Sequence, residues 1–216
     1  MTTLNRLVLW NIDHTLVDVG RVTREAYADA FRRTIGRPLV RLPPTPGRTE
    51  SEIIFETLAF NDVVTTDDHL PAFMRALAEA FAARRADLKA HGRVLAGALE
   101  AVTALGRLPD TEQSVLTGSI EPNAVLKVTE LGLADRLDLT VGGYENGVTY
   151  GESATVYIAD SPRDVQAAHI ARSPIIAVAT GSATVAELRG TGADVVLSTL
   201  ADTDAVVRSV LELTGR

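Results

Sequence analysis

Residues able to do chemistry follow directly after a short apolar segment near the start of the chain. Residues 7–10 are apolar, and Asn11, Asp13, Thr15 and Asp18 come next. A short apolar run that ends in polar residues is typical of a strand buried on both faces. Amide, carboxylate and hydroxyl groups at such a strand end could bind a phosphate or a hard cation, or move a proton.

Two later apolar segments end in the same way. Residues 114–117 end at Thr117, and residues 155–158 lead to Asp160. The carboxyl ends of parallel strands meet at one edge of an open α/β sheet, and ligands bind there where the strand order reverses. We therefore expect the polar residues after all three segments to share one site.

The elements that must position these groups alternate between strands and helices. Apolar segments that predict strands also occur at residues 174–178 and, more weakly, at residues 137–141 and 194–197. Helical patterns lie at residues 122–131, 162–171 and 184–189. This alternation predicts an α/β fold with a doubly wound parallel sheet.

The long segment between the first and second strands has a different pattern. It contains no convincing strand, and amphipathic helical periodicity recurs in it, most clearly at residues 70–81. Prolines interrupt it at residues 41–47. We expect a helical cap at residues 19–91, inserted into a core made of residues 1–18 and 92–216. A single α/β domain with long connections is the alternative.

Together the motifs resemble the haloacid dehalogenase (HAD) superfamily, in the phosphoglycolate-phosphatase-like branch that carries a helical cap. Residues 11–18 resemble its first motif, an apolar strand followed by Asp-x-Asp-x-Thr-Leu-x-x-Asp. Residues 114–118 resemble the second motif, residues 158–164 the fourth, and residues 192–196 a segment that precedes the final helix. The resemblance covers most of the chain. It implies a Rossmann-like core and descent from a magnesium-dependent phosphatase of small molecules.

The resemblance also implies a role for each matching residue. Residue 11 takes the place of the nucleophile that forms an aspartyl-phosphate, and Asp13 that of the general acid and base. The implied Mg²⁺ ligands are Asn11, Asp13, Asp160 and, more weakly, Asp164. The implied contacts to an anionic substrate come from Thr117, Gly118, Asn123, Arg48 and His14.

Three positions depart from the family pattern. Asn11 replaces the nucleophilic aspartate, and an amide oxygen is a poor nucleophile that binds Mg²⁺ more weakly than a carboxylate. Residues 142–159 contain neither lysine nor arginine, although the family places a cation between its second and fourth motifs. Lys127 could substitute for that cation, but we expect it to be an exposed helical lysine. Ala159 replaces the glycine usual before the fourth-motif acid.

These departures favour a protein that is repurposed or inactive in phosphoryl transfer. It would bind a ligand in the capped pocket, or use Asp13 for acid–base work such as isomerisation. The alternative is a phosphomonoester phosphatase seen with an Asp-to-Asn substitution at residue 11. A structural or regulatory protein is a third possibility.

Several of these residues also have ordinary structural explanations. Asp164 could complete a capping box that begins at Ser161. Arg48 could be a solvated loop arginine, and Asn11 could simply hold the loop ends together. His14 stands where the family usually has glycine and would support its neighbours. Asp18 is expected in the hinge to the cap.

Composition excludes several classes of site and partner. The chain has 216 residues and no cysteine, so it can form neither a disulfide nor a thiolate metal site. Its net charge is −7 with no basic cluster interleaved with aromatic residues, which argues against nucleic-acid binding. No apolar run is long enough to span a membrane, and no signal peptide is evident. We expect a cytoplasmic protein with a small anionic ligand, and we leave the oligomeric state open.

Overall fold

The computed structural model describes residues 6–145 and 154–215. In chain order, its strands are β1 (Arg6–Trp10), β2 (Val17–Asp18), β3 (Arg93–Val94), β4 (Thr111–Thr117), β5 (Gly143–Tyr144), β6 (Ala154–Ala159), β7 (Ile175–Val178) and β8 (Val195–Leu197). Its helices are α1 (Gly20–Ile35), α2 (Glu50–Phe60), α3 (His69–Ala82), α4 (Arg85–His91), α5 (Ala98–Leu105), α6 (Glu121–Glu130), α7 (Pro162–Ala171), α8 (Val185–Gly190) and α9 (Thr203–Thr214).

A parallel sheet with the strand order β5-β4-β1-β6-β7-β8 forms the core. The central strand β1 is apolar because helices cover both of its faces, and Val8, Leu9 and Trp10 are fully buried. After β1, the strands β4 and β5 are added on one side of it, and the later strands β6, β7 and β8 are added on the other side. The direction in which strands are added therefore reverses at β1. The predicted α/β fold with a doubly wound parallel sheet is confirmed, and the ends of β1, β4 and β6 meet at one edge.

The predicted strand at residues 137–141 is wrong. A short 3-10 helix occupies Leu139–Val141, and the strand at this edge of the sheet is the two-residue β5. The Asp138 carboxylate accepts hydrogen bonds from the backbone nitrogen and the hydroxyl of Thr140, at 2.9 and 2.6 Å. This local turn competes with an extended strand. The predicted loop connection from β5 to β6 falls largely on residues 146–153, outside the described residues.

Helices α1 to α4 form the helical cap, which lies between β2 and β3 in the chain. The helix predicted at residues 70–81 is α3, and it packs against α1 through a buried aromatic cluster. In this cluster the Phe31 and Phe73 rings meet edge to face with centroids 6.4 Å apart. The cap therefore has an apolar interior of its own. None of the helices in the described ranges is long and apolar enough to cross a membrane.

Two short strands join the cap to the core. β2 and β3 pair antiparallel, with Val17 opposite Val94 and Asp18 opposite Arg93. Arg93 also donates a charged hydrogen bond of 2.6 Å to the Asp18 carboxylate. Because the chain enters and leaves the cap through one hydrogen-bonded ribbon, Asp18 lies at the hinge between the two parts.

The start of α2 holds the cap against the carboxyl edge of the sheet. The backbone nitrogen of Glu50 donates to the Gly118 carbonyl at 2.8 Å. The backbone nitrogen of Ser51 donates to the Glu145 carboxylate at 2.6 Å. Gly118 is required at this contact, since a Cβ there would lie 2.2 Å from the Arg48 carbonyl oxygen.

Replacing Gly118 by alanine is predicted to push the cap off the strand edge. The added methyl group would overlap the Arg48 backbone, and overpacking of this kind costs about 1–3 kcal/mol. We expect a lower Tm and faster proteolysis between cap and core. Gly190→Ala is the matched control, because a Cβ there meets nothing within 4 Å. Equal Tm values for the two variants would contradict the tight contact.

Candidate functional site

A cavity of about 1020 Å³ lies between the cap and the carboxyl edge of the sheet. Its wall contains eight of the residues predicted from sequence: Asn11, Asp13, His14, Arg48, Thr117, Gly118, Lys127 and Asp164. The other two, Asn123 and Asp160, are 1% exposed and hydrogen-bond the wall residues Glu50 and Asn11 respectively. The structure therefore brings all ten residues to one place.

The cavity wall is more basic than the protein as a whole. Among its described residues, five carry a permanent positive charge: Arg21, Arg24, Arg48, Lys127 and Arg163. Three carry a carboxyl group: Asp13, Glu50 and Asp164. The whole chain has a net charge of −7, so the excess of basic groups here is local. Four of these five residues form ion pairs, namely Arg21 with Glu25, Arg48 with Glu56, Lys127 with Asp13 and Arg163 with Glu52, and no ion pair to a described residue is found for Arg24.

The Asn11 amide is held by hydrogen-bond acceptors at the end of β1. Its nitrogen donates to the Asp13 carbonyl at 3.1 Å and to the Asp160 carboxylate at 3.0 Å. Because both of these partners can only accept, the NH₂ group and not the amide oxygen must face them. The hydroxyl of Thr15 donates to the same Asp160 oxygen at 2.8 Å. Asn11 thus ties the first strand to the strand beside it.

Asp160 is a buried carboxylate that depends on these donors. Burial is the largest influence on its pKa, followed by the negative charge of Asp164, and together they raise the pKa to about 6. The hydrogen bonds from Thr15 and Asn11 act in the opposite direction. The second oxygen of Asp160 packs against Gly181, where a Cβ would lie only 2.0 Å away. The carboxylate is therefore enclosed on both sides.

Asp13 is paired with Lys127, whose predicted exposure is wrong. The ammonium group lies 2.7 Å from an Asp13 carboxylate oxygen, and the side chain of Lys127 is 2% exposed. Lys127 also donates to the Ser119 hydroxyl at 2.9 Å, and it lies 5.2 Å from the centre of the Phe81 ring in the cap. A buried ammonium needs such partners, because leaving it unpaired would be strongly destabilising. α6 thus places a buried cation beside Asp13.

Asp164 serves as the capping residue of α7. One of its oxygens accepts hydrogen bonds from the Ser161 backbone nitrogen and hydroxyl, at 3.1 and 2.5 Å. The other accepts a bond of 3.0 Å from the Tyr157 hydroxyl. Burial raises the pKa of Asp164. Since hydrogen bonds engage both oxygens, the capping explanation fits the geometry better than a metal ligand.

The remaining predicted residues support the cavity wall. Arg48 forms an ion pair with Glu56, and its side chain is 18% exposed. His14 has a φ of 64°, the left-handed conformation that glycine adopts most easily, which explains why the family usually has glycine there. The Thr117 hydroxyl accepts a hydrogen bond of 3.2 Å from the Ser119 backbone nitrogen.

Glu50 is a site residue that the sequence reasoning missed. It begins α2 of the cap but is only 4% exposed, because its carboxylate reaches the core. One of its oxygens accepts bonds from the Ile120 backbone nitrogen at 3.2 Å and the Asn123 amide at 2.8 Å. Burial raises its pKa to about 7, while the nearby Lys127 charge opposes that shift. The only sequence signal was its place in the capping segment after Thr49.

The predicted magnesium set is occupied in part by the Asn11 amide, whereas the second oxygen of Asp160 is buried without a hydrogen-bond partner among the described residues. The NH₂ group of Asn11 points at oxygens of Asp13 and Asp160, two of the predicted ligands. The Lys127 ammonium already neutralises Asp13, and Asp164 is engaged in capping. Among the described residues, no group of three or more histidine or acidic side chains is arranged to hold a metal ion. The amide nitrogen takes the place between two oxygens that a hard cation would prefer.

Comparison with known proteins identifies the family. The model of the haloacid dehalogenase-like hydrolases matches residues 8–169, three quarters of the chain. The chain belongs to this HAD family. No curated protein matches the sequence itself.

Solved structures share the complete fold of this HAD chain at low sequence identity. One is a HAD hydrolase of family IA, variant 3, from Entamoeba histolytica HM-1:IMSS, with TM-score 0.72, 16% identity and coverage of 98% of this chain and 100% of that one. A hydrolase from Pseudomonas syringae has TM-score 0.69, 17% identity and coverages of 95% and 98%. A predicted phosphoglycolate phosphatase from Haemophilus somnus 129PT has TM-score 0.65, 15% identity and coverages of 96% and 100%. At these identities the likeness concerns the fold, including its helical cap.

Magnesium is predicted not to stabilise this HAD protein, whereas Asn11→Asp should create a response. The substitution removes the NH₂ group and places a second carboxylate oxygen beside Asp160, which favours a divalent cation. At a concentration about tenfold above Kd, binding would add about 1.4 kcal/mol and raise the Tm by about 3–5 °C. The double variant Asn11→Asp/Asp160→Asn should lose the gain. A magnesium-dependent Tm in the unaltered protein would refute the assignment.

Because the pKa of Glu50 is raised, we predict that the free energy of unfolding decreases as the pH rises from about 4.5 to about 7. In this window the folded protein keeps the Glu50 proton, whereas the unfolded chain, with an ordinary pKa of 4.5, loses it. Glu50→Gln should remove that loss and gain roughly 1–3 kcal/mol over the unaltered protein as the pH rises through the window. Chemical denaturation at the two limits of this pH window measures the free energy of unfolding of both proteins. Glu212→Gln, exposed on α9, is the matched control: it keeps Glu50 and should lose stability with rising pH as the unaltered protein does.

Proposed function

We propose that this HAD-family protein binds a small organic anion in its capped cavity and does not form an aspartyl-phosphate. The proposal rests on the hydrogen bonds that the Asn11 side chain donates. Its amide stands at the nucleophile position and donates hydrogen bonds to Asp13 and Asp160. An amide held in this way offers no nucleophilic oxygen of the kind that covalent catalysis by a carboxylate requires.

The ion pair of Asp13 with Lys127 supports the same conclusion. A general acid must be free to release a proton to the leaving group and to take one from water. Here one oxygen of Asp13 accepts bonds from the Lys127 ammonium at 2.7 Å and from the Ser119 hydroxyl at 3.2 Å. Asp13 is therefore the partner of a buried cation. On the proposed function, this pairing occupies one Asp13 oxygen and replaces its role as general acid.

The charge of the wall supports an anionic ligand. Arg24, Arg48 and Arg163 face the cavity together with Lys127. Arginine binds carboxylate and phosphate groups through paired hydrogen bonds. The ligand would enter between the cap and the strand edge and place its charge against these groups.

Any acid–base work in this cavity falls to Glu50. The role expected of Asp13 requires a group whose proton is exchangeable near neutral pH, and burial raises the pKa of Glu50 to about 7. Glu50 also lines the cavity, where a bound ligand would be within its reach. A non-hydrolytic proton transfer such as an isomerisation is therefore compatible with the site.

One observation favours the alternative, a phosphomonoester phosphatase seen with asparagine at residue 11. Lys127 supplies a buried cation beside Asp13, which compensates for the missing lysine at residues 142–159. If so, asparagine at residue 11 would be the only change that prevents phosphatase activity. The two proposals differ in the outcome of one substitution.

Asn11→Asp is predicted to leave phosphatase activity undetectable. Asp13 would remain paired with Lys127, and the proposal holds that this pairing replaces its role as general acid. Hydrolysis of p-nitrophenyl phosphate with magnesium, by both the unaltered chain and the variant, measures this. Turnover by Asn11→Asp that disappears in Asn11→Asp/Asp160→Asn would establish the alternative.

Ligand binding is tested separately, by measuring the Tm of the protein with each member of a series of organic phosphates and carboxylates. At least one anion should raise the Tm, and Arg48→Gln should reduce the shift. Arg208→Gln, exposed on α9, is the matched control for the lost charge. A series in which no anion binds would favour a structural or regulatory protein.

A further inference from the structure

One face of the core helix α6 contacts three helices of the cap. Asn123, Lys127 and Glu130 follow one another at spacings of four and three residues, so they share this face. Asn123 donates to Glu50 of α2 at 2.8 Å, and the Lys127 ammonium lies 5.2 Å from the centre of the Phe81 ring of α3. Glu130 pairs with two cations of α4. A polar stripe on one core helix therefore holds the cap at three successive turns.

The contact at Glu130 differs from the other two in its exposure to water. Its carboxylate lies 3.3 Å from the Arg85 guanidinium and 3.1 Å from the Lys89 ammonium. The Glu130 side chain is 6% exposed, whereas those of Arg85 and Lys89 are each 66% exposed. A carboxylate shielded from water is costly without a charged partner, so separating α4 from α6 would leave Glu130 unpaired.

These ion pairs lie beside the hinge. Gly92 is the single residue between α4 and the hinge strand β3. It packs against Leu131 at the end of α6, since a Cβ on Gly92 would lie 3.3 Å from a methyl carbon of Leu131. At the other end of α6, the Ile120 backbone nitrogen donates to the Glu50 carboxylate of the cap at 3.2 Å. α6 therefore runs from the hinge to the contact at the carboxyl edge of the sheet.

We propose that the stripe of Asn123, Lys127 and Glu130 is a latch that keeps the cap closed over the cavity, and that ionic strength releases it at Glu130. Dissolved salt screens charges that face water and acts much less on buried ones. The cations that pair with Glu130 face water, whereas Asn123 and Lys127 are 1% and 2% exposed. Access to the cavity would thus depend on salt, whatever ligand the cavity binds.

Two backbone amides of the cap report its opening. The Glu50 nitrogen donates to the Gly118 carbonyl at 2.8 Å, and the Ser51 nitrogen donates to the Glu145 carboxylate at 2.6 Å. Both acceptors belong to the core. The hydrogens of these two amides therefore exchange with solvent when the cap parts from the core, and residue-resolved hydrogen exchange measures how often this happens.

Two further amides serve as references for general loosening of the fold. Phe31 lies within the cap helix α1, and Val102 lies within the core helix α5. Both are fully buried, and the backbone bonds of an α-helix stay within the helix. Parting of the cap from the core leaves both bonds intact. Faster exchange at Glu50 and Ser51 alone is therefore the signature of the latch opening.

Raising NaCl from about 0.05 M to about 0.5 M should speed exchange at Glu50 and Ser51 about threefold and leave the reference amides unchanged. Glu130→Gln at the lower salt should speed it about fivefold, the effect of losing one exposed ion pair, and should remove most of the salt response. Glu25→Gln is the control, because Glu25 pairs with Arg21 at 3.1 Å inside α1. That variant should keep the rates and the salt response of the unaltered protein.

The possible outcomes decide the proposal in either direction. Exchange at Glu50 and Ser51 that responds neither to salt nor to Glu130→Gln refutes the latch. Equal acceleration of all four amides also refutes it, since Glu130 would then support the fold in general. If Glu130→Gln does not fold, the salt response of the unaltered protein decides: a selective response supports the latch and a uniform one refutes it. None of these results depends on anion binding, so the proposed function stands or fails separately.

Discussion

Buried carboxylates at one edge of the sheet are the constraint on which the site depends. A carboxylate removed from water is tolerated only when donors surround it. The chain supplies them as the amide of Asn11 for Asp160 and the backbone of Ile120 for Glu50, while the half-buried Asp13 pairs with the ammonium of Lys127. These pairings connect β1, β6, α6 and the cap. The same bonds that make the edge stable therefore decide which chemical groups remain available to a ligand.

The change at residue 11 has consequences beyond a lost nucleophile. Aspartate at this position would bring a second negative charge next to Asp160, and that pair needs a cation. Asparagine needs none, because its NH₂ group is itself the donor between the oxygens of Asp13 and Asp160. One substitution thus changes the nucleophile and the need for a metal together. On the proposed function, this coupling would let a HAD chain keep its fold and pocket geometry without forming an aspartyl-phosphate.

The sequence was sufficient for the fold and for most of the site. Apolar strand segments followed by polar residues placed Asn11, Thr117 and Asp160 at one edge, because parallel strands share their carboxyl ends. The prediction from sequence failed near β5, because a turn at Asp138 bends the chain and the strand that follows has only two residues. Such short edge strands carry too few residues to show a period.

Residues whose role depends on tertiary contacts were the ones missed. Lys127 lies on the buried face of α6 with Asn123, Ala124 and Val128, a spacing that was a usable signal. Its partner Asp13 is 114 positions away, so only the folded chain reveals the ion pair.

The two-stranded ribbon of β2 and β3 sets how this pocket exchanges its contents. Both chain crossings lie side by side, an arrangement that permits rotation of the cap about one hinge. The bonds from Glu50 and Ser51 join the cap to the carboxyl edge of the sheet. Motions of this hinge type occur on microsecond to millisecond timescales. The residence time of a ligand that contacts both parts would then depend on the rotation of the cap as well as on the ligand's own contacts.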